Sequence, residues 1–139
     1  MKDTRRFLAL AGLVFSQLIY AAADQSEIAA ETAAAAWLKL VDSADYAGSW
    51  DSAASAFKQS VSKLQWASAA AGARAPLGKL ESRRLQTARY TKSLPGAPDG
   101  EYVVITYAAA FENKPAAVET ITPMRDADGA WRVSGYYIR

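Results

Sequence analysis

Apolar residues recur every three to four positions through the first half of the chain and roughly every second position through its last third. Ala30, Ala34, Trp37 and Val41 fall at i, i+4, i+7 and i+11, one stripe along a helix. The alanine run 33–36 favours the same conformation. Asp24, with Glu27 three positions on, has the form of a capping box, so a helix is predicted over 24–43. After the interruption Asp42-Ser43-Ala44-Asp45, the positions Tyr46, Trp50, Ala53, Phe57, Val61 and Leu64 continue a helical stripe. Tyr46 and Trp50 therefore read as core anchors rather than as the wall of a ligand site. Ser62-x-x-Gln65 is a second capping box and predicts a helix to about Ala73, stopped by Pro76 and Gly78.

Beyond Gly78 the period shortens to two. Leu80–Lys92, Glu101–Phe111, Ala117–Met124 and Trp131–Ile138 read as strands. Between them lie the loop 94–100, the turn Glu112-Asn113-Lys114-Pro115 and the hairpin turn Asp126-Ala127-Asp128-Gly129. Gly135 inside the last strand predicts a bulge or sharp bend. Helices first and strands joined by short links afterwards predict an α+β domain, with N-terminal helices packed on a four-stranded antiparallel sheet.

The opening MKDTRRFLALAGLVFSQLIYAAADQ changes the picture of where the chain goes. Lys2, Arg5 and Arg6 form a basic region, and Phe7–Ile19 is an apolar run shorter than the ~20 residues of a membrane span. Ala21-Ala22-Ala23 supplies a small-residue cleavage site. Residues 1–23 thus read as a cleavable signal peptide, cut between Ala23 and Asp24, ahead of a single domain over 24–139. The expected localisation is periplasmic or secreted, with no integral membrane segment once the leader is gone.

The chain carries 16 basic and 14 acidic residues. The leader removes Lys2, Arg5, Arg6 and Asp3, so the domain itself is neutral and gives no global argument for nucleic acid. Cysteine and histidine are both absent. Thiol chemistry, serine and cysteine triads that use histidine, and most zinc or copper sites are thereby removed. No metal or cofactor is expected.

The segments WLKLVDSADYAGSW, FKQSVSKLQW, RAPLG, LPGAPDGEYVVITY and GAWRVSGYYI, in this order, resemble a family of small bacterial secreted proteins catalogued as domain of unknown function 4019. The likeness runs from about Ala34 to Ile138 and brings no assigned catalytic residues. At the fold level the arrangement looks like the nuclear transport factor 2-like, cystatin-related roll. That resemblance implies a bent sheet wrapped around helices, often with a cone-shaped pocket.

Candidate chemistry is sparse. The stretch Arg74, Lys79, Arg83, Arg84, Arg89 and Lys92 is opposed only by Glu81 and reads as a charged edge strand or as an anion-facing surface. Without interleaved aromatics apart from Tyr90, it does not suit base stacking. Arg74 either complements the dipole of its helix or reaches inward to pair Glu119 or Asp51. Glu119 shares a face with Ile121 and is either a carboxylate inside the sheet or an edge residue in water. In the last strand Trp131, Val133 and Tyr137 share one face and Tyr136 and Ile138 the other, unless Gly135 shifts the register. The binding candidates are therefore Arg74, Tyr107, Glu119, Trp131, Tyr136 and Tyr137, and no catalytic residue is assigned. The leading expectation is a non-enzymatic module that binds a partner protein or a small apolar ligand. The alternatives are a cofactor-free acid–base enzyme using Asp or Glu with Tyr, and a structural homodimer.

Overall fold

A computed structural model describes the backbone of residues 8–139 and the side chains of residues 17–139. Four helices, α1 (Leu8–Asp42), α2 (Tyr46–Asp51), α3 (Ser55–Ser60) and α4 (Lys63–Arg74), precede the 3₁₀ turn Ala75–Leu77. Strands β1 (Leu80–Thr91), β2 (Tyr102–Phe111), β3 (Lys114–Arg125) and β4 (Trp131–Ile138) follow. Each strand pairs antiparallel with the next, so β1 and β4 are the edges of a four-stranded meander. The helices cover one face of this sheet, and the α+β expectation holds.

The first stripe packs as its spacing requires. Ala30, Ala34, Trp37, Leu38 and Val41 are all buried. The start of the helix differs from expectation: α1 runs through Asp24 instead of beginning there. No proline or glycine interrupts residues 13–47, so nothing local ends the helix at the capping-box position. The basic region of the predicted leader lies outside the described residues.

The second stripe is broken. Residues 46–64 form two short helices and the start of α4 rather than one continuous element. Phe57 is buried and Tyr46 and Trp50 are half-buried against the main core. Leu64, however, is 84% exposed. Ser62 explains this. Its hydroxyl accepts from the Gln65 amide while the Gln65 side chain accepts from the Ser62 amide, so a new helix begins there with its own phase. Trp66 and Ala70, not Leu64, then turn inward. Buried Ser49 ties three helices together. Its carbonyl accepts from Trp37 Nε1 at 2.8 Å and its hydroxyl accepts from Trp66 Nε1 at 2.9 Å. The indole rings of Trp37 and Trp66 lie 5.6 Å apart above it.

Within the sheet, alternation sends Val103, Ile105, Tyr107, Ala109 and Phe111 of β2 toward the helices. The Asp126–Gly129 turn closes with Gly129 at φ +84°, a conformation that favours glycine. In β4 the pairing passes from Thr122↔Gly135 to Pro123↔Val133, leaving Ser134 as the extra residue of a bulge beside Gly135. The shift puts Trp131, Val133, Tyr136 and Ile138 all against the core, while Tyr137 turns to the outer face and is 56% exposed. Without the bulge Tyr136 would leave the helix side, and the site below would not exist.

These packing differences give opposite expectations for two alanine substitutions seven residues apart, Phe57 in α3 and Leu64 in α4. Phe57→Ala should cost about 3–5 kcal/mol of unfolding free energy through a lost core side chain. Leu64→Ala should stay within about 0.5 kcal/mol. Urea denaturation of both variants checks the phase break at Ser62, which an equal loss would contradict.

Candidate functional site

Glu119 occupies the middle of interior strand β3 and is 0% exposed. A bare carboxylate there would carry a prohibitive desolvation cost, so its oxygens must be matched. Arg83 of β1 reaches across the helix face of the sheet, its Nε 2.6 Å from Oε1 and its Nη2 3.1 Å from Oε2. The Tyr136 hydroxyl also donates to Oε2. The same guanidinium grips Asp42, the last residue of α1, with Nη1 at 2.7 Å and Nη2 at 2.9 Å from its two oxygens. Arg74, in the last turn of α4, adds Nη2 at 2.8 Å from Asp42 Oδ1 and Nη1 at 3.5 Å from the Tyr136 oxygen. Two carboxylates and two guanidiniums thus form a neutral chain that ties α1, α4, β1, β3 and β4 together.

Protonation follows from these contacts. Burial opposes the charge of Asp42, but the hydrogen bonds and charges of Arg83 and Arg74 outweigh it and hold the carboxyl below its ordinary range. Burial also opposes the charge of Arg83, yet Asp42 and Glu119 keep it protonated more firmly than a free guanidinium. Burial, followed by the Glu119 charge and hydrogen bond, pushes the Tyr136 phenol far up, against the smaller pull of the two arginines. Tyr136 is therefore a fixed donor, and both oxygens of Glu119 are spoken for.

Arg74 is 6% exposed, with its guanidinium 4.9 Å from the centre of the Phe111 ring. Its Nε is the one buried side-chain polar atom without a partner among the described residues. Arg74 and Tyr136 also form the inner edge of a cleft of about 480 Å³ between α4 and the end of β4. Trp66, Ala69, Ala73, Leu77 and Ile138 supply its apolar walls, and Lys114 and Arg139 stand with Arg74 as its cations. No acidic side chain lines it.

Of the six binding candidates, Arg74, Glu119 and Tyr136 meet directly. Tyr107 lies opposite Glu119 on the neighbouring strand, buried, its phenol pushed up by burial and then by the charges of Glu31 and Glu119. Tyr137 borders the cleft from its exposed position. Trp131 is elsewhere, at the far end of β4 against the main core. It borders a hollow of about 620 Å³, one wall of which is formed by residues of α1 between Leu18 and Ser26. Ala23 and Asp24 lie within α1, with Asp24 exposed.

The structure decides between the two readings of Glu119 and corrects the partner expected for Arg74. Glu119 is an interior residue, not an edge carboxylate in water, because β3 has a strand on either side. Arg74 does reach inward, but its carboxylate is Asp42; Asp51 instead pairs with Lys63 at the surface, at 2.7 Å. Sequence reasoning missed Asp42 and Arg83 as partners, reading one as a helix end and the other as part of a charged edge. The remaining charges of β1 fit the edge reading: Arg84 and Arg89 are exposed on the outermost strand. The signal available for Arg83 was its place in the alternation, since its register partner Ala109 faces the helices.

Because the Asp42 carboxyl is held below its unfolded value near 3.8, its stabilising contribution is present above that pH and lost as pH falls through the folded value. The stability difference between the wild type and Asp42→Asn should accordingly be full at pH 7 and narrow below about pH 4. Urea unfolding at pH 7, 4 and 3 measures it. A difference independent of pH would mean that Asp42 is not held in its charged form by the two arginines.

Among the described residues, no helix is long and apolar enough to cross a membrane. No curated protein and no solved structure matches the chain. A family match does exist: the one described as "Protein of unknown function (DUF4019)" covers residues 33–136, from the last third of α1 to Tyr136 itself. Asp42, Arg74, Arg83, Glu119 and Tyr136 all lie within that span, and the chain belongs to this family.

Proposed function

We propose that this chain is an exported, non-enzymatic binding module of the periplasm or extracellular space, whose cleft between α4 and β4 takes a small apolar ligand. The observation that carries the reading is the cleft itself. Its walls are apolar, and its innermost polar residues, Arg74 and Tyr136, are already fixed from behind by Asp42 and Glu119. A concave apolar site with a few rigid polar groups is the usual form of a small-molecule pocket. The larger hollow beside Trp131 is a weaker candidate, because cleavage after Ala23 would remove much of its α1 wall.

The nuclear transport factor 2-like roll is part of the same reading. It is supported by the order of helices followed by an antiparallel meander, with the helices against one face. The acid–base enzyme reading is less favoured. A general base must reach its substrate, whereas Glu119 is fully buried and holds three hydrogen bonds from Arg83 and Tyr136.

Mass spectrometry on protein recovered from its native compartment tests export and binding together. The intact mass should correspond to a chain beginning at Asp24, and native spectra should show a small molecule retained in the wild type but not in Ala69→Trp. Ala69 is exposed at the cleft wall, so the larger side chain fills the cleft without disturbing the core. An uncleaved cytoplasmic chain would overturn export. A bare protein, or one carrying only a protein partner or a second copy, would overturn the ligand reading.

A further inference from the structure

We propose that the ligand of the α4–β4 cleft is a single-chain amphipathic anion, one carboxylate-type head on an apolar body. The inference rests on the binding reading above and goes beyond it by fixing the chemical class. Three cationic side chains and no acidic side chain line the cleft. Asp42 neutralises Arg74 at 2.8 Å. Lys114 and Arg139 make no ion pair among the described residues, so neither cationic side chain is held by an acidic one as Arg74 is. Their backbones are fixed by the sheet. Lys114 is paired with Phe111 across the β2–β3 turn. Arg139 exchanges hydrogen bonds of 2.9 and 3.1 Å with Val118.

The rest of the surface offers an acyl or aryl body Trp66, Ala69, Ala73, Leu77 and Ile138, with no further charge to satisfy. A neutral ligand would desolvate the rim without compensating it, and a cationic one would be repelled. An anionic head paired with Lys114 and Arg139 gains charge-assisted hydrogen bonds while its body fills the apolar part. A bilayer is a poorer match. Recruitment to anionic lipid surfaces uses about four to eight clustered basic residues, and this mouth has two that are free. The cleft is also concave and sized for one molecule.

Calorimetric titration of the full chain with dodecanoate, methyl dodecanoate and dodecylammonium tests the assignment, with each probe kept below its micelle concentration. Dodecanoate should bind at least tenfold more tightly than the other two. Affinity should rise about fourfold per methylene from octanoate upward until the cleft is full, as expected for ~0.8 kcal/mol per buried CH₂. Lys114→Glu combined with Arg139→Glu should reverse the preference toward dodecylammonium, with circular dichroism confirming an unchanged fold. Ala69→Trp should abolish binding of all three. If the methyl ester binds as tightly as the acid, anion selection is wrong while the apolar cleft stands. If no probe binds, both readings fall. Binding to phosphatidylglycerol vesicles without binding to dodecanoate would replace the proposal with a membrane contact.

Discussion

A charged carboxylate with no solvent exposure sits in the centre of the sheet, and the arrangement around it follows from the need to match Glu119. Arg83 supplies the counter-charge, but its guanidinium has donors to spare and takes Asp42 as well. Asp42 then has room for Arg74. Tyr136 completes the second oxygen of Glu119. Each partner comes from a different element, so satisfying one charge fixes the ends of α1 and α4 against three strands. Replacing such a set with apolar residues of equal volume often costs nothing, whereas removing one member is expensive. What the ions add beyond apolar packing is position. A one-residue slip of β1 would turn Arg83 to the solvent face and leave Glu119 unmatched.

Position is what the proposed binding role of the cleft would need. Arg74 and Tyr136 each present one side to the ionic chain and another to the cleft. Trp37 meets the Tyr136 ring edge-on at 5.3 Å, and Trp66 lies against Phe57 at 5.0 Å. The inner wall is therefore held by ion pairs on one side and aromatic packing on the other. A ligand entering a wall already ordered need not order it, and that saving goes directly into affinity.

The strands were readable because their signals are local. Pro98-Asp99-Gly100 and Asp126–Gly129 punctuate the sheet where turn chemistry requires, and Gly135 marked the bulge, whereas β3 starts at Lys114, inside the turn expected over Glu112–Pro115. The upstream limit of α1 was not readable, since alanine-rich sequence continues through Asp24. Leu64 was misplaced because a stripe extrapolated across Ser62 ignores the new phase that a cap imposes. The ionic partners were less accessible still. Asp42 lies 32 residues from Arg74 and 41 from Arg83 along the chain, and partner choice among many surface-compatible charges is decided only by packing. Glu119, Arg74 and Tyr136 were each visible as unusual, but that they meet depends on a bulge shifting one strand by one residue.

The same bulge separates two ways of using tyrosine. Turned outward, Tyr136 would be a surface phenol like its neighbour Tyr137. Turned inward, it stands between the ionic chain and an open apolar space. Burial and the Glu119 charge keep its proton in place far above neutral pH, so it can donate but not abstract. Reactivity is thereby suppressed at the most polar point of the site. Lys114 and Arg139, which also line the cleft, make no ion pair with an acidic side chain among the described residues. The pairing of the interior charges beside an apolar cleft is what supports the proposed reading of a site that holds a molecule rather than transforming one.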